Sequence, residues 1–370
     1  MSPAINADDL PIREDLRGVK AYGAPQLDVD IRLNTNENPH PPPLDVLESI
    51  SRAVNEAAAG LQRYPDRDAI ALRQALAGYL SDTTGESITV DQVWAANGSN
   101  ETLSQLISAF AGPGRRVLGF EPSYSMHSII ARGTGSEYIA QHRADDFSLS
   151  VEQVVSAIEE HDPHVVMLCS PNNPTGTAMD PELVIAAYDA VAQRTHGVVI
   201  VDEAYAEFSH NPSLIPLLKD RPRLVVTRTM SKAFAFAGAR VGYFAADPAV
   251  VEAVLRVRLP YHLSALTQAA ATAAIGHAKE LQAGVEELKR QRDRIVAQLR
   301  EWDVPVADSD ANFVLFGGLA DSHQTWQELL DAGILIRDVG IPGWLRVTAG
   351  TENETTAFLN AFEQIITANR

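Results

Sequence analysis

Lys232 is the side chain with the clearest chemical potential. It follows the apolar, β-branched run Leu224-Val225-Val226-Thr227 and lies within Arg228-Thr229-Met230-Ser231-Lys232-Ala233-Phe234, among small and aromatic neighbours. Desolvation there lowers an ammonium pKa and leaves a neutral amine suited to Schiff-base chemistry. The hydroxyls of Thr229 and Ser231 and the guanidinium of Arg240, in Ala237-Gly238-Ala239-Arg240-Val241-Gly242, form a second functionality around it. Hydroxyls and a forked cation are what a phosphate needs.

Other polar clusters follow other apolar runs. After Val93-Trp94-Ala95-Ala96 comes Asn97-Gly98-Ser99-Asn100-Glu101, opening a helical pattern. Glycine lets backbone approach an anion, and a helix N-terminus offers free N–H groups and a positive dipole end. After Val165-Val166-Met167-Leu168 comes the turn Ser170-Pro171-Asn172-Asn173-Pro174-Thr175-Gly176. After Val198-Val199-Ile200-Val201 comes Asp202-Glu203-Ala204-Tyr205, a carboxylate at the mouth of a sheet. A charge buried there requires a partner, either a cationic ring nitrogen or an arginine.

These runs, with Arg116-Val117-Leu118-Gly119-Phe120, alternate with helical periodicity from about 46 to 275, which predicts a mostly parallel sheet covered by helices on both faces. Ligands of such sheets sit outside the carboxyl ends of the strands, where the polar clusters lie. Residues 1–45, ending in Asn38-Pro39-His40-Pro41-Pro42-Pro43, read as an extended arm. From 276 to 370 a charged helix over Ala278–Trp302, strands at Asn312–Phe316, Ile334–Arg337 and Leu345–Thr348, and helices near Trp326 and Phe358 predict a small α+β domain with an antiparallel sheet.

The chain has 370 residues, 45% of them apolar and 21% charged, the profile of a globular enzyme. Its formal charge of −18 opposes nucleic acid and anionic lipid as partners, and an anionic substrate must rely on local arginines. Cys169 is the single cysteine, so an internal disulfide is impossible and a reducing compartment, the cytoplasm, is expected. No apolar run reaches the ~20 residues of a membrane span, and the opening Met-Ser-Pro-Ala-Ile-Asn has no basic start.

The motifs Asn173-Pro174-Thr175-Gly176, Asp202-Glu203-Ala204-Tyr205, Ser231-Lys232-Ala233-Phe234 and Ala237-Gly238-Ala239-Arg240 resemble, in order and spacing, the fold type I, aspartate-aminotransferase-like superfamily. Within it the chain is similar to the histidinol-phosphate aminotransferases through Leu33-Asn34-Thr35-Asn36-Glu37-Asn38-Pro39, Arg63-Tyr64-Pro65-Asp66, Pro122-Ser123-Tyr124 and Ile334-Leu335-Ile336-Arg337-Asp338. The resemblance implies a pyridoxal 5′-phosphate enzyme exchanging an amino group between histidinol phosphate and 2-oxoglutarate, giving imidazole-acetol phosphate and glutamate. Lys232 would carry the cofactor and act as general base and acid. Asp202 would pair with the ring nitrogen, Asn173 and Tyr205 with the phenolate oxygen, and Tyr124 would stack on the ring. Ser99, Asn100, Thr229, Ser231 and Arg240 would hold the phosphate, joined by Tyr64 from the other subunit of a homodimer. Arg346, Arg337, Tyr22 and Asn38 would bind substrate.

Other functions fit poorly. Gly133-Thr134-Gly135-Ser136-Glu137-Tyr138 fails the dinucleotide fingerprint at its last position, a P-loop is missing, and His127, His161, His164 and His262 lack helix-borne metal spacing. An aromatic amino-acid aminotransferase is the alternative on the same scaffold. A binding protein that kept the fold without turnover would have no need for Lys232, Asp202 and Arg240 together.

Overall fold

The computed structural model describes residues 5–19, 23–194 and 197–368. Seven strands form the main sheet: β2 (Val93–Ala96), β3 (Arg116–Glu121), β4 (Glu137–His142), β5 (Val165–Cys169), β6 (Val198–Asp202), β7 (Leu224–Thr229) and β8 (Gly242–Ala246). Their spatial order is β2-β8-β7-β6-β5-β3-β4. Neighbours from β7 to β4 are parallel, whereas β8 runs antiparallel to both β7 and β2. Successive residues alternate between faces, so Tyr243 and Ala245 enter one core cluster and Phe244 and Ala246 another. Both faces are covered, which explains why β5 and β6 are buried along their whole length.

The sequence reading missed β8, and the connection that precedes it accounts for its direction. Residues 230–241 hold only a short 3₁₀ turn, Ala237–Ala239, rather than the helix that a parallel crossover uses, and the chain doubles back. Met230 N–H donates to the Val241 carbonyl at 3.0 Å and closes the connection that carries Lys232 and Arg240. β4 was also missed, because as an edge strand it is only partly buried and its sequence lacks a clear apolar signal.

A second layer is built from β9 (Phe313–Phe316), β11 (Arg337–Asp338) and β12 (Leu345–Thr348), antiparallel in the order β11-β12-β9. Helices Val285–Glu301, Ser322–Asp331 and Glu352–Ala368 accompany it, with Ile295, Leu299, Phe316, Phe358 and Phe362 in a shared core. The strand expected over Ile334–Arg337 divides at Ile336. Its first half, β10 (Ile334–Leu335), pairs in parallel with β1 (Ile31–Arg32) of the arm, and the second becomes β11. The arm is thereby tied down as a strand, and the small sheet elements are not all antiparallel.

The helix expected over Ala278–Trp302 is likewise interrupted, into Ala278–Leu281 and Val285–Glu301. Gly284 is the N-cap of the second piece, and a Cβ there would lie 2.9 Å from His40 Cδ2. The glycine lets the arm approach, and Glu286 and Glu287 then favour a new N-terminus through its dipole. Among the described residues no helix is long and apolar enough to cross a membrane.

Candidate active site

The carboxyl ends of β2, β5, β6 and β7 open into a cavity of about 330 Å³, bounded on its far side by β11, β12 and the arm. Lys232, half-buried, enters from the β7–β8 connection and donates from Nζ to the Thr35 carbonyl at 2.9 Å. Its pKa is pushed down to about 8, first by desolvation and then by Arg346 and Arg240, against the opposing pull of Glu37. The neutral amine, the form that attacks carbonyl carbon, is thus far more populated near neutral pH than in an ordinary lysine.

At one end lies Asp202, 1% exposed at the tip of β6. Its Oδ2 stands 3.1 Å from His127 Nε2, and its Oδ1 accepts from Ala204 N–H and Thr227 Oγ1, each at 3.2 Å. Arg228 points to the other side of the strand and binds Glu203 at 2.7 Å and Glu207 at 2.9 Å. Burial opposes the charge of Arg228, but those two carboxylates hold its pKa above the usual value.

At the other end Gly98, with φ of 79°, caps helix Ser99–Phe110 without placing a side chain over its first N–H groups. A Cβ at Gly98 would lie 2.5 Å from Arg240 Nη2, and one at Gly242 would lie 2.2 Å from Ser99 N. Two glycines therefore allow the helix N-terminus, the β8 backbone and a guanidinium to converge. Arg240 Nη1 reaches Ser231 Oγ at 3.5 Å, and Thr229 Oγ1 lies 3.0 Å from the same oxygen.

Between the ends, the Tyr205 hydroxyl oxygen accepts from Asn36 Nδ2 at 2.9 Å and from Asn173 Nδ2 at 3.5 Å. Burial pushes the Tyr205 pKa well up, so the hydroxyl keeps its proton. Arg346 Nη1 donates to Asn173 Oδ1 at 2.6 Å and Nη2 to the Asn34 carbonyl at 2.9 Å. Its guanidinium carbon lies 5.0 Å from the centroid of the Phe313 ring, a cation–π contact. Tyr124 lines the cavity and donates to Asn100 Oδ1 at 3.0 Å, and Arg337 lines it beside Arg346. The donor set fits pyridoxal phosphate: cation and N–H donors for a phosphate, an amine for a carbonyl, hydroxyl and amide for a phenolate, and a carboxylate for a ring N–H⁺.

Two of the expected residues lie outside the cavity lining of this chain. Asn38 donates to the Ala233 carbonyl at 3.3 Å and is absent from the cavity lining. Tyr64 is 80% exposed and stacks on Tyr261 at 4.5 Å, outside the cavity. Tyr22 lies outside the described residues. Conversely, the sequence reading gave no role to His127, Asn34, Thr35 or Asn36. His127 lies in the first turn of helix Met126–Gly133, and its ring meets that of Tyr124, just ahead of the helix, edge-on at 5.5 Å.

A family model described as aminotransferase class I and II matches residues 28–362. A histidinol-phosphate aminotransferase of Frankia casuarinae is 59% identical over 366 residues, covering 98% of this chain and 92% of the relative. One from Streptomyces avermitilis is 57% identical over 358 residues, covering 97% of each. Among solved structures, a histidinol-phosphate aminotransferase from Sinorhizobium meliloti in complex with pyridoxal-5′-phosphate superposes with a TM-score of 0.81 at 26% identity, covering 92% of each chain. With identity above one half along nearly its entire length, the chain belongs to the class I and II aminotransferase family and, within it, to the histidinol-phosphate aminotransferases.

Proposed function

We infer that the chain is a pyridoxal phosphate-dependent transaminase acting between histidinol phosphate and 2-oxoglutarate, with imidazole-acetol phosphate and glutamate as products. One arrangement carries the chemistry: the desolvated amine of Lys232 stands between a buried carboxylate and an anion-binding cluster. The near-full-length identity to histidinol-phosphate aminotransferases carries the substrate.

When bound, pyridoxal phosphate supplies an electron-withdrawing ring that takes up negative charge from the substrate carbon. Lys232 would hold its carbonyl carbon, and Arg240, Ser231, Thr229 and the N–H groups of Ser99 and Asn100 its phosphate. Tyr205 and Asn173 would bind the phenolate oxygen, and Tyr124 would lie against the ring. Asp202, which accepts from Thr227 Oγ1 and the Ala204 N–H and is oriented by His127, would stabilise a proton on the ring nitrogen. Once the substrate amine has taken its place on the cofactor's carbonyl carbon, Lys232 would be a free amine, positioned to take the proton from the substrate's amine-bearing carbon. Arg346, with Arg337 beside it, would grip the phosphate of histidinol phosphate in one half-reaction and a carboxylate of glutamate in the other, since one guanidinium fork suits both. Tyr22 would complete the substrate pocket, while Asn38, turned to the Ala233 carbonyl, would hold the arm against the Lys232 loop.

The same reading assigns residues 1–45 to an arm, 46–275 to the cofactor domain and 276–370 to a small domain. It makes the active unit a homodimer, supported by the exposure of large apolar side chains such as Leu44 and Leu259, 80% and 75%, and of Tyr64, 80%. A cytoplasmic location is supported by the single, buried Cys169.

Two measurements on the purified protein test the reading. Borohydride should fix the cofactor to the peptide containing Lys232; a label on another lysine overturns the site. Histidinol phosphate with 2-oxoglutarate should yield glutamate at a higher kcat/KM than phenylalanine with 2-oxoglutarate does, and a preference for phenylalanine overturns the substrate.

A further inference from the structure

Asn36 comes from the arm, yet it is 1% exposed and built into the centre of the site. Its φ of 56° lies in the left-handed region, which asparagine tolerates better than other side chains. Every polar atom of the residue is engaged. The backbone N–H donates to Thr348 Oγ1 at 3.1 Å, and that hydroxyl donates back to Asn36 Oδ1 at 3.0 Å. The backbone carbonyl accepts from Asn312 Nδ2 at 3.1 Å. With its amide oxygen turned to Thr348, Asn36 presents Nδ2 to the Tyr205 hydroxyl at 2.9 Å.

The direction of that last bond has a chemical consequence. A phenol has one proton and accepts through its oxygen. Tyr205 accepts from Asn36 and, at longer range, from Asn173, whose own oxygen is held by Arg346. With its acceptor side occupied, the one proton of Tyr205 is left for an acceptor inside the cavity. A second asparagine at this spot gives Tyr205 a fixed polarity that Asn173 alone, at 3.5 Å, would hold weakly.

We propose that Asn36, locked by Thr348, is a positioning residue that makes Tyr205 a one-way proton donor toward the phenolate oxygen of the cofactor, and thereby lowers the pH at which the Lys232 nitrogen gives up its proton in the holoenzyme. The proposal rests on the cofactor reading of the site. A donated hydrogen bond stabilises the phenolate charge and weakens its hold on a neighbouring proton. Thr348 and Arg346 are two residues apart on β12 and share one face, so the strand that would receive the substrate anion also holds this amide. Among the described residues, the charged and titratable groups facing Lys232 include Arg346, Glu37 and Arg240, those facing Tyr205 include Arg346, Cys169 and Asp202, and the two face each other, Lys232 Nζ lying 5.8 Å from the Tyr205 ring centroid. All remain in the variants below.

The test is a pH titration of the visible absorption of the bound cofactor in the holoenzyme. Asn36→Gly accepts the positive φ and removes the donor. Asn36→Asp keeps the shape but offers Tyr205 an acceptor, drawing its proton away from the cavity. Thr348→Val removes the lock while leaving Asn36 in place. The transition should move to higher pH in the order Asp, then Gly, then wild type, by about one unit for Asn36→Asp, with a smaller upward shift for Thr348→Val. Variants that retain the band but titrate with the wild type, or at lower pH, overturn the proposal and leave Asn36 a brace for the arm. A wild-type protein without such a band overturns the cofactor reading itself, and the proposal with it.

Discussion

Desolvation of Lys232 acts on reactivity and stability together. Its pKa in the folded, cofactor-free chain is about 8 against an ordinary 10.5. Between those values the unfolded chain binds a proton that the folded chain has shed, so this residue makes the apo-protein more stable as pH rises through that window. Below it both states are protonated and the folded state carries the full cost of a desolvated cation. Capture of added pyridoxal phosphate by apo-protein, followed by stopped-flow absorbance, should therefore accelerate through pH about 8 and level off above it. A rate still climbing toward pH 10 would contradict the lowered pKa. Arg346 and Arg337 can be separated by the anion each must hold. A phosphate monoester carries more charge and more acceptor oxygens than a carboxylate, so a second arginine matters more for it. Arg337→Ala should reduce kcat/KM for histidinol phosphate by about 1.5–3 kcal/mol more than for phenylalanine, while Arg346→Ala damages both. Equal losses at Arg337 would remove it from phosphate recognition.

The elements converge on the site through close backbone approach rather than through side chains. At the start of β8, Gly242 lies so near the N-terminus of helix Ser99–Phe110 that an added Cβ would meet Ser99 N at 2.2 Å, with only backbone available to yield. Gly242→Ala should destabilise the protein by about 1–3 kcal/mol in urea unfolding. Because the displaced N–H groups are those assigned to the phosphate, it should also weaken retention of pyridoxal phosphate on dialysis. Loss of stability with unchanged retention would mean that the helix N-terminus does not hold the phosphate. The β6 strand is organised on the same economy of position: Asp202 faces the cavity while Glu203, next along, faces Arg228. Alternation along a strand thus separates a functional carboxylate from a structural ion pair.

At the scale of the molecule, helix Leu44–Ala58 buries only Val46 among its residues and leaves Leu44 and Leu47 80% and 41% exposed, and the stacked pair Tyr64 and Tyr261 is exposed as well. If these side chains meet a second copy and Tyr64 reaches the partner's cofactor, two defective chains can repair one another. Lys232→Ala mixed with Tyr64→Asp should recover about a quarter of wild-type specific activity, since half the dimers are mixed and each has one intact site. No recovery after verified subunit exchange would make each site self-contained.

The sequence by itself determined the cofactor end of the site. Lys232, Asp202, Asn173, Ser99 and Arg240 follow directly from strand, turn and helix signals, because in a parallel sheet the residue after a strand is already at the mouth of the cleft. Chemistry and position were encoded within a few residues of one another there. What needed the tertiary structure spans long separations: Asn36 with Tyr205, 169 residues apart, Asn36 with Thr348, 312 apart, and Arg346 with Asn173, 173 apart. No local period specifies such contacts. They exist because β1 joins β10, which lays the arm beside β12 and over the carboxyl ends of the main sheet. The antiparallel β8 and the helix broken at Gly284 were decided in the same way, by a connection without a crossover helix and by the close approach of His40.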